Sequence, residues 1–250
     1  MRTLTATRYV TPLREGGSMP AIVEADDEGM YVLKFRGAGQ GPKVLIAELV
    51  AGELARAAGL AVPEIVFMEL DPDLARTEPD SEIQSLIRAS AGLNIALDYL
   101  PGSVTFDPVA EKPDATLASS IVWFDAYVSN VDRTARNANL LVWHKQLRLI
   151  DHGAALYFHH SWDDKTDRSH DPFVRIKDHI LLQFASQLRE ADAVLSKRIT
   201  PEIINTIVAL IPDSWLEGSS RNAYIQHLTR RLEPPRAFVE EAIRASSLLV

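Results

Sequence analysis

Apolar and polar positions change their spacing along the chain, and the change divides it. Up to about residue 100 the pattern is mostly the alternation of strands. Thr3 to Thr11 is rich in Thr, Tyr and Val, and Pro20–Glu24 and Met30–Phe35 flank an Asp26-Asp27-Glu28-Gly29 turn. Glu64–Leu70 and Leu93–Leu100 read as two further strands. Between them Lys43 to Ala58 has helical spacing, with Ile46, Val50, Leu54 and Ala57 on one stripe and Gly59 as the stop. Asp71–Ser81 is polar and carries two prolines, which predicts an exposed connection. Glu82–Ser90 is a short helix or a surface insertion, and Thr105–Thr116 a loop.

Beyond residue 115 the helical period dominates. Leu117, Ile121, Phe124 and Val128 predict a buried helix over Thr116–Asn130. A hairpin follows, Asn139–Trp143 and Leu147–Ile150 around His144-Lys145-Gln146. Helices are expected at Arg175–Glu190, Thr200–Ile211, Ser220–Arg231 and Arg236–Ser246, with Thr200 as an N-cap before Pro201.

Composition narrows the function classes. The 250 residues, 46% of them hydrophobic, suffice for a real core. The net charge of −8 argues against a nucleic-acid binder that works by bulk electrostatics. Cysteine is absent, which excludes disulfides and thiolate metal sites and fits a cytoplasmic location. The N-terminus has no signal-like apolar core, and no apolar run is long enough for a membrane span.

The candidate chemistry lies around the hairpin. Asp132, Asn137 and Asp151 are spread over twenty residues, and the hairpin folds Asp151 back towards Asn137. One carboxylate suits a base beside a hydroxyl, and an amide oxygen with a second carboxylate suits Mg²⁺ on a nucleoside triphosphate. Upstream, Lys34 shares a strand face with Val32 and Arg36, where a cation requires an anion unless that face is solvent. Glu48 and Glu53 both lie on the following helix, but about 140° apart, so at most one of them faces Lys34. Gly16 and Gly17 suit either an ordinary turn or close approach to a phosphate. Asp125 and Asn130 are placed to brace the loop, and Arg133 to meet a phosphate or a carboxylate. The charged stretch Ser161–Asp171 reads as surface or as a substrate loop. His152, His159, His160 and His170 match no metal-binding spacing.

Glu48 followed by Gly59-Leu60-x-Val62-Pro63, the Asp132…Asn137 loop and Asp151 together resemble HipA-like kinases, and more loosely the phosphatidylinositol kinases. The resemblance spans most of residues 8 to 160. It implies an α+β, two-lobed protein-kinase-like fold, with a small β-rich N-lobe (1–100) and a mostly helical C-lobe (101–250). It also implies ATP and Mg²⁺ as cofactors and transfer of the γ-phosphoryl group to an unidentified protein or small-molecule hydroxyl. By position, Lys34 resembles the phosphate-binding lysine and Glu48 its helix partner. Asp132 resembles the catalytic base, and Asn137 and Asp151 resemble the metal ligands. Backbone groups of Ala96, Leu97, Asp98 and Tyr99 would then meet the adenine edge. Asp151-His152-Gly153 departs from the Asp-Phe-Gly of protein kinases, the glycine-rich loop is not a clean match, and the chain is much shorter than the HipA toxin kinases. Two other readings stay open, a non-catalytic nucleotide- or partner-binding module and AMP transfer.

Overall fold

The computed structural model describes residues 1–13, 19–39, 41–162, 167–216 and 218–249. The turn expected at Arg14–Ser18, with Gly16 and Gly17, and the Asp163–Thr166 part of the charged stretch lie outside them.

The first part is a closed five-stranded barrel in the order β1-β2-β3-β5-β4. Its strands are β1 (Thr3–Pro12), β2 (Ala21–Ala25), β3 (Met30–Lys34), β4 (Ile65–Leu70) and β5 (Gly92–Asp98). Antiparallel pairs form all the seams but one; β1 runs parallel to β4, with Leu4 opposite Met68. Closure leaves no free sheet edge. The interior is apolar, with Val23, Leu33, Val66, Met68 and Ala96 all buried.

The polar connection after β4 is more ordered than its composition suggests. It forms a 3₁₀ turn, Pro72–Thr77, that buries Ala75, followed by α2 (Ser81–Ala89) capped by Asp80. Ile83 and Ile87 of α2 join the barrel's apolar cluster, so of the two alternatives the segment is a helix packed into the fold.

Helix α1 (Pro42–Ala57) packs on the outside of the barrel, and its Leu45, Leu49 and Leu54 belong to the core of the helical body. That body contains α3 (Ala115–Tyr127), α4 (Leu188–Arg198), α5 (Pro201–Val208), α6 (Arg221–Arg231) and α7 (Ala237–Ser247). Trp123 and Tyr127 of α3 stack with ring centroids 5.5 Å apart, and Phe238 of α7 meets Trp123 edge-on at 5.4 Å.

One expectation fails here. Arg175–Glu190 is not a helix but two 3₁₀ turns, Val174–Asp178 and Leu182–Phe184, and α4 begins only at Leu188. The apolar residues that suggested the helix, Ile176, Ile180, Leu181 and Leu182, are buried because the segment threads through the core. Residues 106–114 form the loop expected there, bounded by a strand that ends at Thr105 and by α3 from Ala115. Strand β6 (Val104–Thr105) pairs with β7 (Leu140–Trp143), which pairs with β8 (Gln146–Leu149). His144 and Lys145, both with positive φ, make the tight turn between β7 and β8. Among the described residues no helix is long and apolar enough to cross a membrane.

Candidate active site

The site lies where the barrel, α1 and the β7–β8 hairpin meet. Lys34 is the last residue of β3, opposite Ile95 of β5, and its side chain is 7% exposed. Its Nζ is 2.7 Å from Asp151 Oδ1 and 3.8 Å from Glu48 Oε2. Burial alone would lower the Lys34 pKa, but the Asp151 and Glu48 carboxylates, with a smaller contribution from Asp132, raise it. Burial likewise opposes the charge on Glu48, and the Lys34 ammonium and the donors of His152 more than offset it, holding that carboxyl below its usual range.

Glu48 is the α1 carboxylate that faces Lys34. Glu53 points elsewhere and pairs with Arg56 at 3.1 Å. Glu48 Oε1 accepts the backbone N–H of His152 at 3.1 Å, while Oε2 is buried without a hydrogen-bond donor. This contact ties α1 to the Asp-His-Gly turn. Glycines allow α1 to pack closely on two sides, Gly52 against β4 and Gly153 of the turn against α1. A Cβ on Gly52 would lie 2.3 Å from Ile65 Cδ1, and one on Gly153 would lie 2.7 Å from Val44 Cγ1. His152 is fully buried and meets Phe124 edge-on at 6.5 Å, so it fills an aromatic place in the core. Asp151 itself sits at φ 53°, the left-handed region, which turns its carboxylate out of the β8 direction and leaves it 37% exposed.

Asp132 lies on the loop that leaves α3. Its Oδ2 accepts Asn137 Nδ2 at 2.7 Å, and Asn139 Nδ2 approaches the same oxygen at 3.4 Å. Asn137 therefore leaves its amide oxygen free to face a cation. The loop is fixed from beneath by Asp125, a fully buried residue of α3. Asp125 accepts from Arg133 Nε at 2.5 Å, from His179 Nε2 at 2.9 Å and from Asn130 Nδ2 at 3.0 Å. Burial would raise the Asp125 pKa, and the Arg133 guanidinium and His179 reverse that, holding it well below the carboxylate range. Arg133 thus pairs with a carboxylate, whereas Arg136 is exposed. Arg133 Nη1 also donates to the Asn139 carbonyl, which clamps the start of β7.

Lys34, Glu48 and Asp151 thus form one cluster and Asp132 with Asn137 another, near enough for the Asp132 charge to act on Lys34. The adenine-facing group expected at Ala96–Tyr99 does not appear as a row of free donors. Ala96 and Leu97 sit in the middle strand of three and pair on both sides, and the N–H groups of Asp98 and Tyr99 donate to Glu64 and Met30 carbonyls. His179, which completes the Asp125 network, was not singled out from the sequence. Nothing in its local spacing marks it, because its partners lie more than forty residues upstream.

The donor set suits a hard divalent cation. It offers an exposed carboxylate and a free amide oxygen, with the rest of a coordination sphere left to phosphate oxygens and water. No cluster of three or more His, Cys, Asp or Glu residues able to hold a metal by themselves occurs among the described residues.

Two solved structures have the same fold. A Helicobacter pylori proinflammatory kinase, CtkA, superposes with a TM-score of 0.57 at 14% identity, covering 92% of this chain and 95% of its own. The Golgi casein kinase, solved with Mn/ADP bound, gives 0.56 at 10% identity, covering 98% of this chain and 74% of its own. No curated protein matches the sequence. The model of the HipA-like kinases matches residues 7–235, almost the whole chain, and the protein belongs to that family.

Proposed function

We propose that the protein is an ATP- and divalent-metal-dependent phosphotransferase, with Mg²⁺ as the physiological ion and a hydroxyl as acceptor. The barrel and α1 act as an N-lobe and the helical body as a C-lobe, with the nucleotide between them. The observation that carries this reading is the position of Lys34, buried between Glu48 and Asp151. A buried ammonium shared by two carboxylates can exchange one of them for phosphate oxygens at little cost in charge.

In this reading Lys34 holds the nucleotide phosphates while Glu48, fixed by the His152 N–H, keeps the ammonium in place. Asn137 and Asp151 would hold the metal, which supplies neutralisation of charge on the transferred group. Asp132, oriented by Asn137 and Asn139, accepts or orients the proton of the acceptor hydroxyl. Most of the rate enhancement then comes from positioning and electrostatics.

Nucleotide products test the reading without knowledge of the acceptor. With Mg²⁺ and ATP, wild type should form ADP, and Asp132→Asn should form it roughly 100- to 10,000-fold more slowly, the range expected for loss of a general base. AMP as the product would replace phosphoryl transfer by AMP transfer. Unchanged ATP would reduce the protein to a binding module.

A further inference from the structure

The segment after the metal turn is tied at both ends to one place, the C-terminal end of α3. Near its start, Arg231 donates to the Ser169 and Asp171 carbonyls at 3.0 and 2.9 Å, and to the α3 carbonyls of Ala126 and Tyr127 at 2.9 and 2.8 Å. Near its end, His179 reaches Asp125.

The His179 ring has a defined tautomer. Its Nδ1 lies 3.0 Å from the backbone nitrogen of Leu181, which can only donate. Nδ1 is therefore the bare nitrogen, the proton is on Nε2, and the ring donates to Asp125 Oδ2 at 2.9 Å. Burial favours this neutral form. The backbone repeats the link, since Ile180 N–H donates to the Arg133 carbonyl at 3.1 Å and Thr134 forms a bridge with His179.

From Asp125 the connection runs to Asp132 by two routes. Asn130, held by Asp125, accepts the Asp132 N–H at 3.2 Å. Arg133, also held by Asp125, grips the carbonyl of Asn139, whose amide reaches Asp132 Oδ2. We infer that His179 is a positioning residue: through Asp125 it fixes the carboxylate of Asp132 relative to the 167–181 segment. Its kinetic consequence rests on the phosphotransferase reading; its structural consequence does not.

A purely structural role would lie in the other nitrogen, capping Leu181. Two substitutions separate these roles. His179→Gln places an amide donor near Nε2, whereas His179→Asn places an acceptor near Nδ1 and removes the donor. The experiment compares both variants with wild type by amide hydrogen exchange over residues 129–139, Mg-ATP affinity by calorimetry, and ADP formation. In His179→Asn, exchange should quicken roughly tenfold and kcat fall roughly 10- to 100-fold at unchanged Mg-ATP affinity, while His179→Gln stays within about threefold of wild type. The reverse pattern, or equal loosening in both, overturns the inference. If wild type forms no ADP, the phosphotransferase reading fails and the exchange measurement decides this one alone. Should His179→Asn not fold, ¹⁵N NMR of the wild-type ring decides, with the Nε2–H tautomer expected and an Nδ1–H ring or an imidazolium contradicting it.

Discussion

Two buried clusters of charge flank the same loop, and they are built differently. Around Asp125 both carboxylate oxygens accept hydrogen bonds, and the partners Arg133 and His179 are themselves buried. Only Arg133 Nη2 among that cluster's atoms is left without a partner. Around Lys34 the arrangement is incomplete. Glu48 Oε2 has no hydrogen-bond donor, its ammonium partner is 3.8 Å away, and Asp151 is partly open to solvent. A nearly satisfied buried network specifies one geometry, and a less complete one leaves interactions that a ligand can supply. In the proposed reading the first cluster is scaffold and the second is the seat of the ligand.

Removing one carboxylate from each separates the two most sharply. Asp125→Ala leaves the Arg133 guanidinium buried without its counter-charge, which should cost about 3–5 kcal/mol and lower Tm by about 10 °C in thermal unfolding. Asp151→Ala removes the nearer carboxylate of a buried lysine but leaves Glu48 at 3.8 Å and takes away a group that is 37% exposed, so its cost should be smaller, about 1–2 kcal/mol. Comparable losses in the two variants would erase the distinction.

Lys34→Met probes the seat through pH. The folded-state pKa of Glu48 is depressed to about 2, so the unfolded chain takes up that proton first as the solution is acidified. The stability Glu48 contributes is complete above the unfolded carboxylate pKa of about 4.3 and is lost as pH falls through about 2. In Lys34→Met the carboxylate loses the cation that holds it ionised, and its pKa rises. Denaturant unfolding between pH 3 and pH 7 should then show a shallower acid loss in the variant, on top of a lower plateau at neutral pH. Parallel curves would mean that Lys34 does not set the charge of Glu48.

A smaller effect is expected at Gly153. The added methyl of Gly153→Ala meets Val44 Cγ1 and must push α1 from the turn, for about 1–3 kcal/mol by the usual cost of overpacking. Equilibrium unfolding measures it, and an unchanged stability would show that the turn can yield.

How much of this the sequence carries depends on how local each cause is. The strands of the barrel and the helices from α5 onward follow from alternation and from caps such as Thr200. Lys34, Glu48, Asp132, Asn137 and Asp151 could be picked out by residue type and position, and the structure places Lys34 beside Glu48 and Asp151 and Asp132 beside Asn137, while their roles belong to the proposal. The parallel β1–β4 seam could not be picked out, since nothing in either strand names its neighbour. Residues 175–190 misled because a segment threaded through the core and a buried helix have the same apolar content. Between the two 3₁₀ turns the backbone instead makes a long-range bridge, His179 to Thr134, that no local pattern foretells. α4 was missed for the opposite reason. Only Leu188, Ala191 and Leu195 of it are buried, too thin a stripe beside the stronger apolar run before it.

The central claim is that the Lys34–Asp151 cluster is the seat of a metal-bound nucleotide. Calorimetric titration of ATP with and without Mg²⁺, into wild type and Asp151→Asn, tests it most directly. The account predicts Mg²⁺-dependent binding in wild type that disappears in Asp151→Asn while the variant stays folded. Binding that is indifferent to Mg²⁺, or that survives unchanged in Asp151→Asn, would contradict it.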